Sequence, residues 1–283
     1  MRTLRLESPA KVNLRLEILR KREDGFHEIR TIFQKISLHD TIHFSLKQGN
    51  GISITTNQPN LPVGQSNLVY KAAQTILSCS DYRAGISIYI NKRIPLGAGL
   101  GGGSSNAATT LRALNLLLKT ELSQKDMRSM GVQIGADVPF FFLEKGAIAT
   151  GIGERLKEVE LPSLWYVLIY PNFEVSTRWA YQNSRLTKKK FDYKIQEFLA
   201  TPREISKILM NDLEIAVSKK FPQIDLMRKI LSSAGALGSL MTGSGPTVFG
   251  IFSDKGDALQ AFAKVKHETR DKGWTILKAH SLP

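Results

Sequence analysis

Five glycines fall within the seven residues Gly97 to Gly103 of the stretch Pro95-Leu-Gly-Ala-Gly-Leu-Gly-Gly-Gly-Ser-Ser-Asn-Ala-Ala108. A chain has few ways to fold around such a run. Glycine has no Cβ, so successive backbone N–H groups can turn toward one point and an anion can approach them closely, and a helix starting there adds its partial positive charge. Upstream, Ala84-Gly-Ile-Ser-Ile-Tyr-Ile-Asn91 alternates Ile86, Ile88 and Ile90 with Ser87 and Tyr89, the period of a half-buried strand. Downstream, Ala107, Leu111, Leu114 and Leu118 recur at helical spacing, and Ser104, Ser105 and Asn106 are placed to supply capping oxygens. Strand, glycine loop and helix in that order predict a phosphate cradle. A flexible linker would share the composition but not the two strongly patterned flanks.

Two nucleotide motifs do not fit. A P-loop needs a Lys directly after its last glycine, and Gly103 is followed by Ser104 and Ser105. Gly97, Gly99 and Gly102 match the Gly-x-Gly-x-x-Gly dinucleotide signature, but that match is cheap in so glycine-dense a segment. The acidic residue expected about 20 positions on, at the end of a second strand, is absent.

The chain has 283 residues, 42% hydrophobic and 23% charged, which is enough to bury a substantial core and argues against wholesale disorder. Thirty-nine Lys and Arg against 25 acidic residues give a net charge of +14, which favours polyanionic partners. Nucleic acid is disfavoured by the lack of zinc-finger spacing, of an RNP-like aromatic strand and of a long basic helix, and Lys188-Lys-Lys190 reads as a solvated loop. Cys79 is the only cysteine, which excludes an intramolecular disulfide and a thiolate zinc site and points to a reducing, cytoplasmic setting. No signal-like apolar region opens the sequence, and no apolar run approaches the roughly 18 to 20 residues of a membrane span.

Strands precede helices, which predicts an α+β chain of two domains, residues 1–160 and 161–283. Val12, Leu14, Leu16 and Ile18 alternate with Lys11, Asn13, Arg15 and Glu17, so a core face and a polar face are expected on one strand. Thr41–Leu46 and Gly51–Thr55 read as further strands, Asn67–Leu77 and Pro222–Ala234 as helices, and residues 183 to 205 as a charged, loop-rich region. The last patterned piece is Ser239 to Phe252, a second glycine turn running into an apolar strand. Asp137 lies in Gly135-Ala-Asp-Val-Pro139, where Gly135 permits unusual backbone geometry and Pro139 biases Val138 away from helix. Such an aspartate either bonds its own turn or, beside a phosphate cradle, takes a proton from an acceptor hydroxyl. Lys11 is either an exposed strand lysine or a group that offsets charge on a transferred phosphoryl. Phe26 and His27, in Asp24-Gly-Phe-His27, are either a surface turn or a stacking platform for a planar heterocycle. The five histidines show no metal-ligand spacing, and Gly102-Gly-Ser-Ser-Asn106 is not a nucleophile elbow.

Together these segments resemble the GHMP kinases, which include galactokinase, homoserine kinase and mevalonate kinase. Ser8-Pro-Ala-Lys-Val-Asn-Leu14, Pro95 to Ser105, and Leu240-Met-Thr-Gly-Ser-Gly-Pro-Thr247 stand where that family has its three motifs. Phe26, His27 and the Asp137 turn are closest to the branch acting on a cytidine diphosphate conjugate of methylerythritol. The resemblance implies a two-domain GHMP kinase fold, with an N-terminal ATP-binding and catalytic domain like ribosomal protein S5 domain 2 and a ferredoxin-like, substrate-binding C-terminal domain. It implies ATP as phosphoryl donor, with Mg²⁺, a small-molecule acceptor, and no nucleic-acid or membrane partner. By the same resemblance Asp137 is the catalytic base and Lys11 polarises the acceptor hydroxyl. Asn13 holds the substrate, Phe26 and Tyr181 sandwich the cytosine, His27 reads its edge, and Thr177, Gly243, Ser244 and Gly245 lie near ribose and diphosphate. On the ATP side Asn67, Leu68 and Lys92 border the adenine. Pro95, Leu96, Gly97, Ala98, Gly99, Leu100, Gly101, Gly102, Gly103, Ser104 and Ser105 wrap the phosphates, with Ser104 near the metal. Phe26 departs from the tyrosine usual there, which keeps the stacking ring and removes a phenolic hydrogen bond. The competing expectations are a homoserine- or mevalonate-type kinase and a non-catalytic polyanion-binding protein on the same fold.

Overall fold

The computed structural model describes residues 2–80, 85–184, 186 and 198–283; the Lys188-Lys-Lys190 tract lies outside them. The chain forms two compact units whose segments interleave. The first comprises Met1–Ala10, His39–Leu96 and Gly101–Glu144; the second comprises Lys11–Leu38, Gly97–Leu100 and Lys145–Pro283. Two long strands, β1 (Thr3–Lys21) and β2 (His27–Lys47), each contribute to both.

In the first unit, β3 (Ile52–Thr56), α1 (Leu68–Ser78) and β4 (Gly85–Asn91) form a βαβ unit with β3 and β4 parallel, in register from Ile52 opposite Ile86 to Thr56 opposite Ile90. The end of β2 pairs antiparallel with β4, Thr41 opposite Asn91 through Lys47 opposite Gly85. Ile86, Ile88 and Ile90 are fully buried while Tyr89 is exposed, as the alternation demands. Asn67 caps α1, its Oδ1 accepting from the Val69 N–H at 2.8 Å. Helix α2 (Gly102–Leu118) packs on α1, and α3 (Gln124–Ile134) opens with a capping box between Ser123 and Asp126.

In the second unit, β5 (Gly146–Gly151) pairs antiparallel with the start of β2 and with β6 (Arg155–Val159). A four-stranded antiparallel sheet follows, built from β7 (Trp165–Tyr170), β9 (Gly238–Met241), β10 (Val248–Phe252) and β11 (Thr275–His280) in the order β11-β7-β10-β9. Between β7 and β9 lie α4 (Thr177–Asn183), α5 (Pro202–Ile208), the two-residue β8 (Met210–Asn211, parallel to β1), α6 (Asp212–Lys220) and α7 (Gln223–Ser233). Helix α8 (Lys255–Glu268) joins β10 to β11, and α7 and α8 pack on the sheet. Strand, helix, two strands, helix and strand in spatial order 4-1-3-2 is the ferredoxin-like pattern, around a core that includes Val167, Ile169, Met227, Leu231, Val248 and Val265.

Several local expectations are corrected. Ser104, Ser105 and Asn106 do not cap α2: its N-cap is Gly101 in the left-handed region (φ 68°), and Ser105 and Asn106 are buried inside the helix. Gly135 is extended, with φ 178°, a backbone any residue adopts, and Val138 begins a 3-10 helix over Val138–Phe142 instead of avoiding helix. The polar face of β1 is not open either. Lys11, Asn13, Arg15 and Glu17 are all at most 6% exposed, with Lys11 bonded to Asn13 and with Arg15 and Arg30 both paired to Glu17. Part of the region expected to be loop-rich folds as α5, and α8 and β11 extend the pattern beyond Phe252. Among the described residues no helix is long and apolar enough to cross a membrane.

Candidate active site

The glycine loop is built by alternation of backbone handedness. Gly97, Gly99 and Gly101 have φ of 60°, 78° and 68°, so every second residue is left-handed, the alternation that lets successive N–H groups form an anion-binding nest. Gly99 must also be small: a Cβ there would collide with the Thr242 carbonyl oxygen and stand 3.1 Å from the Gly245 nitrogen. The second turn has the same character. Gly243 and Gly245 have φ of 56° and 84°, and the turn is closed by the Thr242 N–H to the Thr247 carbonyl at 2.9 Å.

In the first unit, the ideal Cβ position of Gly102, at the head of α2, is 2.8 Å from Lys92 Nζ, so the lysine lies against the first residue of the helix that ends the loop. Its side chain is 4% exposed and pairs with Asp40 Oδ2 at 2.5 Å. Burial pulls the Lys92 pKa below the ordinary lysine range, and Asp40 works against that shift. Leu68 opens α1 and sits 3.6 Å from where a Gly103 Cβ would be. The Asn67 amide holds its own turn, Oδ1 accepting the cap bond and Nδ2 donating to the Pro62 carbonyl at 2.5 Å. Asp137 is half-buried at the start of the 3-10 helix, with φ −83° and ψ −13°.

In the second unit, Lys11 Nζ donates to Asn13 Oδ1 at 2.6 Å and lies 4.9 Å from the centre of the Phe33 ring. Asn13 is fixed from three sides: its Nδ2 donates to Thr31 Oγ1 at 2.8 Å, and its backbone N–H donates to Thr242 Oγ1 at 2.9 Å. The Lys11 motif, the front of the glycine loop and the second glycine turn are thereby brought together, because the Lys11 N–H also donates to the Leu100 carbonyl at 3.0 Å. Thr177 and Ser244 hydroxyls meet at 2.9 Å. His27 stacks on Tyr181 with centroids 5.2 Å apart and planes 28° from parallel, and Phe26 beside it is 57% exposed. Burial, then the positive Lys21, lowers the His27 pKa and keeps the imidazole neutral.

Several supporting residues escaped the sequence reading. Asn211 Nδ2 donates to the Met241 and Gly243 carbonyls at 2.7 and 2.8 Å, holding the second glycine turn. Thr31 and Asp40 are fully buried polar residues within apolar strand patterns, and that break in alternation is the one signal they carry. Among the described residues no group of three or more His, Cys, Asp or Glu could hold a metal ion.

Two family models match the chain, GHMP kinases N terminal domain over residues 67–145 and GHMP kinases C terminal over residues 195–271. A protein of Citrifermentans bemidjiense named 4-diphosphocytidyl-2-C-methyl-D-erythritol kinase is 45% identical over 275 residues, 97% of each chain. One of the same name from Geotalea daltonii is 42% identical over 282 residues and the full length of both. A crystal structure of 4-(cytidine 5'-diphospho)-2C-methyl-D-erythritol kinase superposes with a TM-score of 0.85 at 33% identity, covering 99% of this chain and 100% of that one. The homoserine kinase of Cytophaga hutchinsonii, at 22% identity and a TM-score of 0.77 over 99% and 94% of the two chains, shares the fold.

Proposed function

We infer the reaction from one premise: the chain belongs to the GHMP kinase family and, within it, to the 4-diphosphocytidyl-2-C-methyl-D-erythritol kinases. It transfers the γ-phosphoryl group of ATP to the 2-hydroxyl of 4-diphosphocytidyl-2-C-methyl-D-erythritol, a step toward isoprenoid precursors outside the mevalonate route. The observation that carries this is the end-to-end likeness to the solved kinase of that substrate.

That hydroxyl is tertiary, hindered and poorly acidic, so the transfer needs a base and a cation at the acceptor oxygen. Asp137 takes the proton. Lys11, its ammonium oriented by Asn13 and sheltered by burial, polarises the oxygen and offsets charge as the phosphoryl arrives. The nest of the glycine loop receives the ATP phosphates, and the N-terminus of α2 adds to the field that holds them. Mg²⁺ arriving with the nucleotide would supply charge neutralisation at the phosphates, and Ser104 is the residue that would stand beside it. Leu68, Lys92 and Asn67 border the adenine, Asn67 held in place by its Oδ1 on the α1 cap and its Nδ2 on the Pro62 carbonyl. Tyr181, Phe26 and the neutral His27 receive the cytosine, and Thr177 with the Gly243-Ser-Gly245 turn borders the ribose and diphosphate. In this division of labour residues 1–160 carry the ATP grip and the base, and residues 161–283 carry the remaining substrate contacts.

Asp137→Ala tests the assignment of the base. Turnover falls by about 10² to 10⁴, the range of general-base catalysis, while CDP binding measured by calorimetry is retained. Full activity in that variant would remove Asp137 from the mechanism.

A further inference from the structure

Asp40 lies within β2, fully buried, and is surrounded by hydrogen-bond donors. Its Oδ1 accepts from the backbone N–H groups of Arg93 and Ile94 at 2.7 and 2.8 Å. Its Oδ2 accepts from Lys92 Nζ at 2.5 Å and from Asn106 Nδ2 at 2.9 Å. Four bonds use the acceptor capacity of a carboxylate, so Asp40 has nothing left to offer a ligand. The positions of those donors are what matter. Arg93 and Ile94 immediately precede Pro95, where the glycine loop begins; Asn106 is on α2, just past where the loop ends. Asn106 Nδ2 also donates to Ser8 Oγ at 2.9 Å, and Ser8 Oγ donates to Ser105 Oγ at 2.7 Å, so β1 is tied to the same helix turn. A buried ion pair is a weak source of stability in itself, and its usefulness lies in fixing geometry.

We propose that Asp40 is a positioning residue for ATP, a single buried carboxylate that clamps the two ends of the glycine loop at the separation its phosphate-binding conformation requires. The inference rests on the reading of that loop as the ATP-phosphate grip. It acts through the loop ends, and the pairing with Lys92 places the compensating positive charge against Gly102.

The test is a double-mutant cycle read in steady-state kinetics on the full chain. Asp40→Asn keeps an oxygen for the Arg93 and Ile94 N–H groups but turns an amide toward Lys92 and Asn106. It raises the KM for ATP about tenfold and leaves kcat and the KM for the acceptor within about twofold, the pattern of lost binding common to ground and transition states. Asn106→Ala removes the clamp on the helix side alone and raises the KM for ATP about threefold; the double variant stays near about tenfold instead of about thirtyfold, because the two residues act as one device. A purely structural role would lower the active fraction and the melting temperature with KM unmoved, and would overturn the proposal. If Asp40→Asn does not fold, Asn106→Ala carries the same prediction alone, and an unchanged KM for ATP there overturns it. Calorimetric titration of the wild-type protein with ADP separates the two claims. Absence of ADP binding overturns the loop reading together with this inference, whereas wild-type ADP binding beside an additive cycle overturns the inference alone.

Discussion

His27 stacks on Tyr181 and has its pKa lowered, first by burial and then by Lys21, from the ordinary histidine value of 6.5. A depressed histidine pKa means that the neutral form is favoured in the folded protein. Its contribution is complete above the ordinary value and is lost as pH falls through the depressed one. Affinity for CDP is therefore expected to stay flat from pH 8 to about 6.5 and to weaken only at lower pH, and His27→Gln, which cannot titrate, should abolish that weakening. Calorimetry across pH checks it; an affinity that already declines between pH 8 and 7 in the wild type alone would contradict a neutral, depressed His27. At this scale the sequence was informative where strand parity sets the neighbour. Lys11 and Asn13 share a strand face by parity, and their side chains meet. It was uninformative for Asp40, Thr31 and Asn211, whose roles depend on partners 16 to 66 residues away, from Thr31 to Arg15 at one end and Asp40 to Asn106 at the other.

The strand, loop and helix around the glycines were legible because each is specified locally, by alternation in β4, by helical spacing in α2 and by glycine between them. The start of α2 was misread for a physical reason. Ser, Asn and Asp near a helix start favour capping, but Gly101 in the left-handed conformation takes the cap position, which carries Ser105 and Asn106 into the helix and toward Ser8 and Asp40. Helix α8 was passed over although Ala258, Ala261 and Val265 keep its buried stripe, because lysines crowd the same segment. Gly99 tests the element as a whole. Gly99→Ala forces a left-handed alanine at roughly 1–2 kcal/mol, and adds a collision with the Thr242 carbonyl. Both glycine turns shift, so the melting temperature should fall and the KM for ATP should rise. An alanine variant with wild-type KM would show that the loop backbone does not meet the phosphates.

For the whole molecule, α+β content and the order of motifs could be read from the sequence, but the interleaving of the two units could not. The alternation of β1 continues unbroken across Ala10 and Lys11, where one unit gives way to the other, so no composition shift or linker marks the change. The buried polar face of β1 was hidden for a related reason. Lys11, Arg15 and Glu17 look like a solvated face, whereas in the fold they are buried, with Glu17 paired to Arg30 from the neighbouring strand. The net charge of +14 suits a molecule that handles two nucleotide polyphosphates, ATP and a cytidine diphosphate ester, as well as it suits any polyanion. The acceptor therefore decides the account. The most direct measurement follows ADP release from ATP in a coupled assay with 4-diphosphocytidyl-2-C-methyl-D-erythritol, homoserine and mevalonate as separate acceptors. The expected result is turnover with the cytidyl substrate alone, competed by CDP, with the new phosphate on its C2 oxygen. Turnover with homoserine or mevalonate instead, or no ATP consumption with any of the three, would contradict it.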